Sequence, residues 1–226
     1  MAAEKTETPQ KSEEEVQSGE SLYLPREMYL TSGAHIGMTY KTKDMMRFVY
    51  KVRSNGLAVF NIAALDKRIE LAGGMLARAK NPVIVCRKDI GWRAVKKFGE
   101  VTGIKIHLGR FMPGSLTNPS YKGFFEADLL LAVDATADAQ AIKEAVNARV
   151  PVIALADTSY TASFMDLVIP CNNKGKKALS LVFWGLAKKV LDITGEKHSL
   201  KAEDFGWDSK EEREETEDGM EEAIEA

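Results

Sequence analysis

Cysteine is almost missing from this chain. Only Cys86 and Cys171 occur, each at the end of an apolar run and in no Cys-x-x-Cys arrangement. That gives no support for a zinc ribbon or a redox pair and leaves both as buried thiols. Histidine is nearly as scarce. His35, His107 and His198 fall on different elements, and no His/Cys cluster has metal-ligand spacing. No apolar run approaches the roughly 20 residues needed to cross a bilayer, and the N-terminus carries no apolar signal core. The expectation is a soluble, cytoplasmic protein with no membrane association. Also missing is a glycine-rich turn between a strand and a helix, the feature that lets backbone amides approach phosphates. Gly73-Gly74 lies inside a helical stretch, where it permits close helix packing, and Gly175-Lys176 lacks the rest of a Walker-type loop.

Charge is plentiful and unevenly placed. The formal net charge of -2 conceals two acidic ends and a basic middle. Residues 1–20 hold six Glu against two Lys, and residues 195–226 hold thirteen acids against four bases. The stretch 21–194 carries 25 basic and 14 acidic side chains, a net of +11. A folded body with that excess collects polyanions, of which nucleic acid is the commonest in a cell.

Three regions follow: an acidic N-terminal tail over 1–21, one α/β domain over 22–194, and an acidic C-terminal tail over 195–226. The tails are too polar to offset the entropy of ordering and are expected to be mobile in isolation. They are expected to discourage nonspecific binding of the free protein to RNA or to reach toward basic neighbouring proteins. Phe205 and Trp207 stand out among these charges, as an anchor either on a partner or on the protein's own body.

Between the tails, short apolar runs alternate with stretches of helical period, the pattern of parallel strands joined by crossover helices. Strands are predicted at Leu57–Ile62, Pro82–Cys86, Ile104–His107 (at an edge), Leu129–Val133, Pro151–Ala156 and Leu167–Ile169. Helices are predicted over 63–80, 91–101, 137–147 and 175–193, with a long irregular stretch to about Phe125. Continuous runs such as Leu129–Val133 imply strands covered on both faces. The fold class is α/β: a three-layer, doubly wound, mostly parallel sheet of five to six strands. In such sheets ligands sit at the C-terminal ends of the strands, which here read Asp134-Ala135-Thr136, Asp157-Thr158-Ser159 and Asn172-Asn173-Lys174-Gly175.

An enzyme using a nucleotide or flavin with Asp134, Asp157 and Asp166 is one reading of those ends. Asp134 and Asp157, however, fall where a helix cap or turn needs an acceptor. Neither Ser115 nor Ser159 can be placed beside a base from sequence. No catalytic residue, cofactor or metal ligand is assigned. A protein-binding module acting through the acidic tail is a third reading.

The basic segments point elsewhere. Residues 39–53 carry Lys41, Lys43, Arg47, Lys51 and Arg53 against one acid, interleaved with Tyr40, Phe48 and Tyr50. Cationic heads neutralise phosphates and aromatic faces stack on exposed bases; the competing reading puts Phe48 and Tyr50 in the core. A second cluster is Arg87, Lys88, Arg93, Lys96 and Lys97. The irregular segment 109–119 offers Arg110 for a forked phosphate contact, with Thr117 and Asn118 as short hydrogen-bonding groups. Finally, Lys174, Lys176 and Lys177 sit at the start of the last helix, against the macrodipole preference, which suggests an anionic partner.

Ser32-Gly33-Ala34-His35-Ile36-Gly37, the segment Gly109 to Asn118, and Pro151 to Thr158 followed by Ile169 to Gly175 together resemble the small ribosomal subunit protein two family. The resemblance runs in order from about Pro25 to Leu191 and fits the archaeal-type branch, to which the eukaryotic laminin-receptor precursor is related; the long helical hairpin of bacterial members has no counterpart here. It implies a flavodoxin-like body without cofactor, a structural role in translation within the small ribosomal subunit, and binding to small-subunit rRNA near the junction of head and body. Neighbouring ribosomal proteins as partners, a single copy per ribosome and late arrival during assembly are also implied. By match of motif, RNA contact carries onto Lys41 to Arg53, Arg110 to Asn118 and Lys174 to Lys177.

Overall fold

The computed structural model describes residues 22–195 and 199–207. The predicted N-terminal tail, most of the C-terminal tail and His198 lie outside the described residues. Among the described residues, seven strands and six α-helices form in the order α1 (Arg26–Ser32), α2 (Lys43–Met46), β1 (Val49–Val52), β2 (Ala58–Phe60), α3 (Ile62–Arg78), β3 (Pro82–Cys86), α4 (Trp92–Thr102), β4 (Lys105–Leu108), β5 (Leu129–Ala132), α5 (Ala139–Asn147), β6 (Val152–Ala156), β7 (Leu167–Pro170) and α6 (Lys176–Thr194).

Five strands make a parallel sheet in the order β4-β3-β5-β6-β7. That order is the doubly wound, flavodoxin-like arrangement, with its switch point between β3 and β5. Alternation along each strand divides the core into two faces. Ile84, Leu131, Ile153 and Ile169 point into a large cluster with Ile69, Phe98, Phe183 and Leu186 from α3, α4 and α6. Val83, Val85, Leu130 and Ala154 point the other way, onto Ala141 and Ala145 of α5 and onto Phe111 and Leu116 of the irregular stretch. Both faces are covered, which is why these runs are apolar without a break.

The Gly73 reading is realised in the close approach of α3 to α6. A Cβ on Gly73 would lie 2.7 Å from Lys189 Cβ. Cys86 and Cys171 are free and buried, and burial pushes the Cys86 thiol up to about 12.

The first apolar run departs from expectation. Leu57–Ile62 does not join the parallel sheet: its centre, β2, pairs antiparallel with β1 in a separate two-stranded ribbon. Only Ala58 and Phe60 of β2 are buried, too little apolar surface for a strand covered on both faces. The ribbon, α2 and Phe60 close a third small cluster with Met45, Phe48, Ala156 and Val168.

The chain also stays on its body beyond α6. Phe205, on a 3-10 turn at Ala202–Phe205, is fully buried in the main cluster with Trp207 packed against it. Ser180 Oγ donates to the Phe205 carbonyl at 2.8 Å, and Trp184 Nε1 donates to the Leu200 carbonyl at 3.2 Å. Of the two anchoring readings, the described residues show the protein's own body.

Candidate nucleic-acid interface

In a parallel sheet every strand ends on the same edge. The residues that follow β4, β3, β5, β6 and β7 are therefore neighbours along one rim: Gly109-Arg110, Arg87-Lys88, Asp134, Asp157-Thr158 and Asn172 to Lys174. The acids and bases on that rim have different fates. Asp134, Asp138 and Asp157 are each about 1 % exposed, while Arg87, Arg110, Lys174 and Lys176 are exposed.

The buried carboxylates are consumed by the fold. Asp134 Oδ1 accepts from the N–H groups of Thr136 and Ala137 at 2.9 and 3.0 Å and from the Tyr160 hydroxyl at 3.0 Å. Its other oxygen meets the Lys88 ammonium. Burial acts to raise this carboxyl, but Lys88 and the N–H donors outweigh it and hold it below the usual value. Asp138 accepts from Arg87 N at 3.0 Å and Asp134 N at 3.1 Å, stitching β3 to β5 across the switch point; burial pushes it up to about 7 against those two bonds. Asp157 Oδ1 accepts from Thr158 N at 2.6 Å, and Asp166 Oδ2 from Val152 N at 2.8 Å. Ser115 Oγ donates to the Met112 carbonyl at 2.7 Å. The groups that made an enzyme conceivable are structural acceptors and donors.

The motifs at 32–37, 151–158 and 169–175 meet at this edge. Gly37 lies so close to Thr158 that a Cβ would fall 2.5 Å from its Cγ2. Met38 N donates to Thr158 Oγ1 at 2.9 Å, which donates in turn to the Tyr40 carbonyl at 2.9 Å. Asn172 N donates to the Ala34 carbonyl at 3.0 Å. His35 Nδ1 sits 2.9 Å from the Tyr29 carbonyl. A carbonyl can only accept, so Nδ1 carries the proton. These segments are a packing device that lays residues 34–42 over the ends of β6 and β7.

The docked segment sets Met38, just ahead of the predicted basic residues of 41–53, against Lys174, just ahead of α6. Lys174 Nζ lies 3.8 Å from Asp157 Oδ2 and against Met38 Sδ. Lys41 Nζ donates to the Gly56 carbonyl at 3.0 Å. Lys43 opens α2, Arg47 closes it, and Lys51 and Arg53 stand exposed on the ribbon. The aromatics divide: Phe48 is 5 % exposed and in the core, whereas Tyr40 and Tyr50 are 66 % and 62 % exposed. The guanidinium carbons of Arg47 and Arg68 lie 4.8 and 5.1 Å from the Phe48 ring centre. Lys176 and Lys177 occupy the first turn of α6, which has no side-chain cap.

The segment 109–119 is shaped by a buried acid on α5. Glu144 accepts from Gly114 N at 2.9 Å, Leu116 N at 3.2 Å and the Thr117 hydroxyl at 3.5 Å. Asn118 Oδ1 accepts from Ser120 N at 3.1 Å, an Asx turn. Thr117 and Asn118 thus hold the loop, and Arg110 is its exposed cation. Sequence reading did not single out Arg26, on α1, or Arg68, on α3. Neither lies in a basic run, and only the fold sets them beside residues 47–53.

The sequence is similar to known proteins. It is 43 % identical over 199 residues to the small ribosomal subunit protein uS2 of Staphylothermus marinus, covering 86 % of this chain and 90 % of that protein. The family described as ribosomal protein S2 matches residues 125–192, from the end of the irregular segment through most of α6.

Proposed function

The chain belongs to the ribosomal protein S2 family, and from that premise we propose how it performs its work: the basic rim at the C-terminal edge of the sheet neutralises small-subunit rRNA phosphates. Its role is that of a structural constituent of the small ribosomal subunit, not of an enzyme, and its partners are rRNA and ribosomal proteins within that particle.

The observation that supports the finer reading is the sorting of charge at one edge. Carboxylates there are buried and accept from backbone N–H groups, and cations from four separate stretches of sequence stand outside them. In a doubly wound enzyme the switch point is an open crevice. Here Lys88 on Asp134 and Asp138 across Arg87 and Asp134 close it. Contact falls to Lys41, Lys43, Arg47, Lys51, Arg53, Arg110, Lys174, Lys176 and Lys177. Thr117 and Asn118 act through the loop shape that presents Arg110. Specificity comes from the fit to a folded RNA surface rather than from base reading.

Sedimentation of a cell extract through sucrose at moderate and at high salt tests this. Co-migration with the small subunit, loosened by salt, is the expected outcome. A chain confined to the top of the gradient at both salts would overturn it.

A further inference from the structure

At the ribbon end of this basic surface, a cleft of about 500 Å³ opens between α1, the β1–β2 ribbon and the start of α3. The volume lies within the roughly 300–1,000 Å³ of small-ligand sites. Its walls carry Arg26, Lys51 and Arg53, with no carboxylate among the lining residues. Among the described residues none of the three cations has an ion-pair partner. His35 and Phe60 form part of the floor, and Tyr50 stands at the side.

The ribbon is distorted in a way that matters here. Val49 pairs with Phe60 and Lys51 with Val59, so two steps on β1 face one step on β2 and Tyr50 is the extra residue of a bulge. Regular alternation would send Tyr50 and Lys51 to opposite faces. The bulge re-aims them, and both line the cleft. Tyr50 is 62 % exposed. A flat aromatic face beside three unpaired cations over an apolar floor is the chemistry that holds one unstacked nucleotide, its base on the ring and its phosphate on the guanidinium groups. His35 adds Nε2, which is an acceptor when the ring is neutral because Nδ1 holds the proton.

We propose that this cleft takes a single extruded nucleotide of an RNA strand, stacked on Tyr50 and clamped by Arg26, Lys51 and Arg53. The inference rests on the reading of the chain as an rRNA-binding protein and gives two of its assigned contacts, Lys51 and Arg53, one nucleotide to hold.

The test uses the full chain, labelled with nitrogen-15 and titrated with adenosine 5′-monophosphate, uridine 5′-monophosphate and hexauridylate while amide shifts are followed. Saturable shifts at Tyr50, Lys51 and Ala63 are expected, with ribose 5-phosphate binding more weakly for want of a base. Tyr50→Ala, at an exposed position, should weaken nucleotide binding by about tenfold, and Arg26→Ala with Arg53→Ala should weaken it and flatten its salt dependence. Shifts spread along the rim without saturation in the cleft would overturn the proposal. So would a Tyr50→Ala protein that binds as the parent does, or a peptide of residues 1–20 that moves the same amides more tightly than any nucleotide, which would make the cleft a seat for acidic peptide. If Tyr50→Ala binds hexauridylate unchanged yet enters small subunits normally, the cleft assignment fails and the ribosomal reading stands. A parent chain absent from small subunits removes both.

Discussion

Glu144 of α5 accepts the backbone N–H of Gly114 at 2.9 Å, thirty residues back along the chain. With Leu116 N and Thr117 Oγ1 on its other oxygen, this one buried carboxylate replaces the strand or helix that the irregular segment lacks. It is the reason Arg110 is presented on a shaped loop rather than on a loose one.

Glu144→Ala leaves two backbone N–H groups unpaired, each costing about 1–3 kcal/mol when buried. Urea unfolding should show that loss, and amide exchange should accelerate at 112–118 ahead of the sheet. Glu144→Gln keeps one good acceptor and should lose less. Equal exchange in the parent and Glu144→Ala proteins would contradict the bracing role.

Asp138 makes stability depend on pH in the sense opposite to most carboxylates. Its folded value is raised from 3.8 to about 7 by burial, so between those values the folded chain holds a proton that the unfolded chain has released. Stability therefore falls as pH climbs from about 4 to about 7, by at most about 1.4 kcal/mol per pH unit for one proton. Asp134 runs the other way: its value is lowered, and its contribution is lost as pH drops through that lowered value. Urea midpoints from pH 4 to pH 7 should lose the falling component in Asp138→Asn; an identical profile in the variant would refute the assignment.

Phe205 is fully buried against α4 and α6. Phe205→Ala should cost about 3–5 kcal/mol and expose the chain after α6 to protease before the sheet unfolds. If limited proteolysis cuts both proteins at the same rate, the anchor contributes nothing.

The rim predicts a division of labour among the residues assigned to RNA. Charge reversal at Lys43, Arg110 or Lys176 should weaken binding to small-subunit rRNA and reduce the slope of log affinity against log salt by roughly 0.7–0.9 for each phosphate no longer neutralised. Thr117→Ala should leave that slope unchanged, because its hydroxyl is turned toward Glu144. Filter binding across a salt series separates the two classes, and a smaller slope in Thr117→Ala would place that hydroxyl on a phosphate instead.

Much of this was legible in the chain. Continuous apolar runs announce buried parallel strands, and all five strands of the main sheet lie where Pro82–Cys86, Ile104–His107, Leu129–Val133, Pro151–Ala156 and Leu167–Ile169 predict them. The missing glycine-rich turn and the motifs at 32–37, 109–118, 151–158 and 169–175 pointed to the family. The ribbon was not legible. Val49–Val52 is mostly exposed and carries no clean alternation, so its pairing with β2 depends on a partner that periodicity cannot show.

Local order, charge balance and family were determined by the sequence itself, because propensity and burial pattern act over a few neighbouring residues and a motif is read in place. Only the tertiary structure decided which charges face solvent. Asp134 and Lys174 look equivalent along the chain, yet parallel strand ends bring them to one edge, where backbone N–H groups draw the carboxylate inward and leave the ammonium outside. The same holds for Arg26 and Arg53, distant in sequence and joined only by the walls of one cleft, since a concave surface is a property of packed elements and not of any one of them.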